Sequence, residues 1–132
     1  MMKRNAIIFL LCVIAITSFS QNRKAIDSLK NIIATAKHDT TIIIAYNFFA
    51  EEMVRTNLDS TKFLSEKAVN LSKRTIKNTS SQEIINSANK QLVKSYSMIG
   101  VCLMLKGDMN KSFVYHDSSF QIAKKENSRE GI

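Results

Sequence analysis

Chemistry needs particular side chains at particular spacings, and the 132-residue sequence offers few of either. Its two histidines, His38 and His116, each lack a second histidine, a cysteine or a paired carboxylate three or four residues away. Neither can belong to a local metal site, which needs several ligands converging on one point. Glu51 and Glu52 are adjacent, so on a helix they point roughly 100° apart and do not form the facing pair used in acid–base catalysis. Asp117 directly follows His116, and neighbouring helical residues do not face each other. Cys102 has no base or orienting group in its local sequence, as a thiol nucleophile requires, and reads as a packed structural cysteine. No phosphate-cradling glycine loop, Gly-x-Ser-x-Gly or His-Glu-x-x-His occurs. The sequence therefore predicts no catalytic residue, no metal and no cofactor.

What remains is a scaffold. The chain has no Pro, no Trp and 3 Gly, which suits one helical domain with short turns rather than a disordered or all-β chain. The formal net charge is +8, but the excess is dispersed, and basic pairs such as Lys73-Arg74 and Lys124-Lys125 are short. No basic run is interleaved with aromatics, so nucleic acid is not a predicted partner. Residues 1–20 have the form of a cleaved export signal: Lys3 and Arg4, an apolar run from Ala6 to Ile16, then Ser18 and Ser20 before Gln21. The run is shorter than the ~20 residues that span a bilayer. Cleavage removes Lys3, Arg4 and Cys12 and leaves Cys102 as the lone thiol. The membrane is then involved only through the signal or through a further span beyond Ile132.

The apolar spacing predicts five helices after the signal. Ile26, Leu29, Ile32, Ile33 and Ala36 mark a leader helix within 22–38. Ile42 to Arg55 and Thr61 to Lys77 form a hairpin within 40–77, turning at Asn57-Leu58-Asp59-Ser60 with Asp59 or Ser60 as cap. Ser80-Ser81-Gln82-Glu83 resembles a capping box with Ser80 and Glu83 paired, opening a second hairpin over 80–125. In its first helix Tyr96, Ile99, Gly100 and Leu103 fall at i, i+3, i+4 and i+7. A glycine inside such a stripe costs roughly 1 kcal/mol against alanine and signals a close neighbour. Lys106-Gly107-Asp108 turns the chain, and Ser112, His116, Ser119 and Ala123 line the returning helix. Residues 126–132 read as a connector to a further repeat.

The second hairpin resembles the tetratricopeptide repeat (TPR), with an aromatic, a Leu-Gly-like pair and small residues on the second helix. The packing positions are then Tyr96, Ile99, Gly100, Leu103, Ser112 and Ser119, with Phe48 and Ala68 in a degenerate first hairpin. Ala68 and Ser119 lie 51 residues apart, against about 34 in the family, so the inner helices of the two units are lengthened. The resemblance implies an all-α solenoid fragment of antiparallel hairpins behind a signal-peptide helix. It also implies a concave face that binds a peptide or protein. By position that face is Ile43, Tyr46, Ala50 and Met53 in the first unit and Lys94, Ser97, Val101 and Met104 in the second. Similar exported arrays form the sensory N-terminal parts of bacterial membrane histidine kinases and regulators. A free-standing secreted or periplasmic adaptor is the other role the resemblance allows. Fusion of residues 1–25 to a reporter active only outside the cytoplasm is expected to give signal, and a silent fusion would refute export.

Overall fold

The computed structural model describes residues 22–130, with side chains to residue 127. The export signal read at 1–20 and residues 131–132 lie outside the described residues. Among the described residues the protein is five helices and no strand: α1 (22–35), α2 (Asp39–Met53), α3 (Leu58–Asn78), α4 (Gln82–Leu105) and α5 (Met109–Glu130). The all-α expectation holds, and α3, α4 and α5 are all long, at 21, 24 and 22 residues. Residues 126–130, expected as a connector, continue α5 because no glycine or proline intervenes before Gly131.

Each helix ends for a local reason. His38 precedes α2 without a side-chain cap, and Asp39 sits in the first turn, where a carboxylate favours the helix dipole. Asn57, rather than Asp59 or Ser60, caps α3, its amide oxygen accepting from the Ser60 N–H at 2.9 Å. Ser81, not Ser80, caps α4, accepting from the Ile84 N–H at 3.4 Å. After α4, Gly107 takes a left-handed φ of 84°. Its N–H reaches the Met104 carbonyl at 2.9 Å and the Asp108 N–H reaches that of Leu103 at 2.9 Å. This double closure of a helix end needs a residue free of a Cβ penalty. Asp108 then caps α5 by accepting from the Lys111 N–H at 3.2 Å, and the Lys111 ammonium, 3.0 Å from the carboxylate, together with that backbone bond holds the carboxyl below the usual carboxylate range.

The helices run alternately up and down. Each of α2, α3 and α4 packs on the next, and α2 also reaches α4, which makes α4 the central element. The Asn22 amide donates to the Glu52 carboxylate at 3.1 Å, setting the start of α1 beside the end of α2. The buried residues of α3 are Thr61, Ser65, Ala68, Ser72 and Thr75 at alternating spacings of four and three, with Leu64 and Val69 beside them. On α4 the same spacing runs through Ala88, Leu92, Ser95, Ile99 and Cys102. The stripe on α3 repeats on α5 51 residues later, where Ser112, Ser119 and Glu126 are buried. Four-three spacing is the seam of helices crossing at shallow angles. Val69, Leu92, Ile99 and Leu103 form the apolar centre, flanked by Tyr96, Tyr115 and Ile122.

Between α2 and α4 the seam is polar. Asn47, 4% exposed, donates to the Gln91 carbonyl at 3.1 Å and to the Gln91 side chain at 3.0 Å. Its own oxygen accepts from the Ser95 hydroxyl at 2.8 Å. By contrast, among the described residues the buried hydroxyls of Ser65 and Ser72 have no partner. A buried group that loses its partner costs about 1–3 kcal/mol, whereas removing a hydroxyl that has none costs nothing. Asn47→Leu is therefore expected to destabilise by about 2 kcal/mol, and Ser72→Ala to stabilise by up to roughly 1 kcal/mol, helped by alanine's helix propensity. Urea unfolding midpoints measure both. Equal effects of the two substitutions would contradict this division of the seam.

Candidate binding face

The glycine of α4 explains how α5 is seated. Gly100 is buried, and a β-carbon there would meet the imidazole of His116 at 2.7–2.9 Å. His116 thus lies against bare backbone, where any larger residue would displace it. Beside it the Ser112 hydroxyl donates to the Gly100 carbonyl at 2.8 Å. Two turns further along α5, and two turns back along α4, the Ser119 hydroxyl donates to the Val93 carbonyl at 3.0 Å, and it pairs with Ser97 at 2.8 Å. The predicted packing residues Tyr96, Ile99, Gly100, Leu103, Ser112 and Ser119 are all brought together here, and Ala68 is fully buried on α3. Tyr96 meets Tyr115 of α5 with ring centroids 5.8 Å apart.

The eight residues expected on one concave face do not share it. Ile43 and Ala50 are 0% and 1% exposed, so they are core residues and leave the face. Tyr46 is half-buried and turns instead into a cleft of about 480 Å³ between α1, α2 and α3, with Ile33, Ile42 and Leu71 below and Lys67 and Arg74 beside it. Met53 is half-buried at the end of α2, and Ser97 is taken up by Ser119. Lys94, Val101 and Met104 retain exposure on α4. Phe48, expected to pack, is 49% exposed, and Asn47 occupies the inward place.

One residue explains the departures on α2. The turn between α2 and α3 has four residues (54–57), and that between α4 and α5 has three (106–108). The two α3-type helices are therefore offset by 51 residues, but α2 and α4 by 52, so Asn47 corresponds to Ile99 and Ala50 to Cys102. A slip of one residue turns a helix by 100°. On the edge where α2 meets α4, the Lys94 ammonium lies 5.3 Å from the Phe48 ring centroid and 3.7 Å from the Glu51 carboxylate. With Val101 and Met104 this makes a ridge of aromatic, aliphatic and charged groups. Sequence reasoning missed Phe48, Glu51 and the Asn47 network. Comparing the two turn lengths is the signal that finds them.

Cys102 is fully buried, and burial pushes its thiol up, away from the reactive thiolate. Lys106 pairs with Asp59 across the ends of α4 and α3, and that hydrogen bond and charge hold the Asp59 carboxyl below its ordinary range. Among the described residues no group of three His, Cys, Asp or Glu side chains could hold a metal ion. Nor is any helix there long and apolar enough to cross a membrane. No family model, curated protein or solved structure matches the chain.

The contact between Gly100 and His116 can be tested by a double-mutant cycle. Gly100→Ala in a His116→Ala background is expected to gain about 1 kcal/mol from helix propensity. With the imidazole present, that gain should vanish or become a loss. Urea unfolding of the four proteins measures the difference, and the same gain in both backgrounds would rule out the close contact.

Proposed function

We propose that the chain is a non-catalytic, TPR-like module that binds a protein or peptide partner on the outer side of a bacterial inner membrane. Its role is the sensory part of an envelope signalling protein. The observation that carries this reading is the seating of His116 on Gly100, with Ser112 and Ser119 bonded to the backbone of α4. Close hairpin packing of this kind is what the repeat pattern demands at its glycine and small positions. The recurrence of the buried stripe of α3 on α5 supports it too. Export rests on the form of residues 1–20. The signalling role rests on the resemblance of an exported, lengthened array to bacterial sensor regions, which is analogy of architecture.

The binding face in this reading is the α2–α4 edge: Phe48, Glu51, Lys94, Val101 and Met104. An exposed aromatic beside a cation and two aliphatic groups suits a peptide with an apolar side chain next to a polar one. Peptides selected by display on the immobilised chain should lose at least about tenfold in affinity with Phe48→Glu or Val101→Glu, on the order of 1.4 kcal/mol. Phe63→Glu on α3 should leave capture unchanged. Such binding should also persist as salt rises, unlike binding driven by net charge. Peptides that bind all three variants alike would refute this face.

A further inference from the structure

The cleft into which Tyr46 turns has a volume of about 480 Å³, within the roughly 300–1,000 Å³ that small-molecule sites occupy. Its charge is uneven along its length. α2 and α3 run antiparallel, so Asp39 stands level with Arg74, and Tyr46, seven residues on, stands level with Lys67, seven residues back. Seven helical residues advance about 10 Å. At the Asp39 end the charges cancel, because its carboxylate accepts from the Thr75 hydroxyl at 3.3 Å and lies 3.6 Å from the Arg74 guanidinium. At the Tyr46 end they do not. Among the described residues no carboxylate pairs with Lys67, whose ammonium rests 5.2 Å from the Phe63 ring centroid, and the neighbouring Glu66 is taken by Lys62. Asn70, one turn along α3, and the Tyr46 hydroxyl make no hydrogen bond among the described residues. Ile33, Ile42 and Leu71 form the apolar floor.

We propose that this cleft binds a small organic monocarboxylate with an apolar body. The carboxylate sits among Lys67, Asn70 and Tyr46, and the body lies over Ile33, Ile42 and Leu71. An ammonium, an amide and a phenol can all donate at that end, and a carboxylate has oxygens enough to accept from each of them. A cationic ligand would meet the uncompensated Lys67, and a neutral apolar one would bury these donors without an acceptor. A second acid group would come to rest beside Asp39, so the ligand carries one. The cleft shares no residue with the α2–α4 edge, so this site stands or falls separately from the peptide reading.

Octanoate has the required head and body. Calorimetric titration of the full chain with it is expected to show one site with a Kd of about 1 mM or tighter. Protons of its chain should give nuclear Overhauser contacts to the Tyr46 ring. Lys67→Glu should weaken binding by about tenfold or more, and Tyr46→Phe, which keeps the ring, by about threefold. Lys77→Glu makes the same change in net charge at an exposed position of α3 outside the cleft, and should leave affinity within about twofold. Octan-1-ol should bind the wild-type chain and Lys67→Glu equally weakly, which separates a lost head contact from a collapsed cleft. No binding at up to ~10 mM octanoate overturns the proposal, as does octylamine binding as tightly as octanoate. Equal losses in Lys67→Glu and Lys77→Glu also overturn it, because the attraction would then be to net charge alone.

Discussion

How closely α3 and α5 can approach α4 is set by the serine, threonine and alanine side chains that recur along their seams, between the larger Val69 of α3 and His116 of α5. Thr61, Ser65, Ala68 and Ser72 on α3, and Ser112 and Ser119 on α5, let the helix axes come near enough for backbone atoms to contribute to packing. Gly100 carries this furthest, with no side chain at all beneath His116. The consequence is a core with few large residues: Ile43, Leu64, Val69, Leu92, Ile99 and Leu103. Contacts at the helix ends then matter more. Lys106 with Asp59 fastens one end, and Asp39, approached by Thr75 at 3.3 Å and Arg74 at 3.6 Å, fastens the other.

Much of this was legible in the sequence, and the failures have one geometric origin. The five helices and the α4–α5 hairpin follow from apolar spacing, Gly107 and the small residues of α5. These signals are local and strong. The inward register of α2 was not legible by analogy with α4, because a single additional turn residue between Met53 and Leu58 rotates every correspondence. Asn47 was hidden for a second reason: a polar residue in an apolar run marks the solvent side unless partners are known, and its partners Gln91 and Ser95 lie 44 and 48 residues away. The caps at Asn57 and Ser81 lay beside two or three equally good capping residues, which propensity cannot rank.

The surfaces left outside the core differ in character. Along the α2–α4 edge, Phe48 and Glu51 are already engaged by Lys94, so an incoming group must compete with a formed contact. Such a surface selects by exchange of polar partners. The α5 side offers aromatic and aliphatic groups without that competition and favours burial of area over fine discrimination. Between α3 and α5 lies a groove of about 410 Å³ floored by Tyr96 and Ile99, with Lys73 5.7 Å from the Tyr96 ring centroid.

The contrast between bonded and unbonded hydroxyls bears on how the height of each helix is set. Ser112, Ser119 and Asn47 tie α5 and α2 to α4 at fixed heights, because each hydrogen bond holds only over a few tenths of an ångström. Along α3, Ser65 and Ser72 make no such bond, and the contact there is smooth and non-directional between its fastened ends. At Ser65 and Ser72 the α3 seam therefore sets no height by hydrogen bonding and rests on side-chain shape alone, whereas α2 and α5 are each pinned to α4 at named residues.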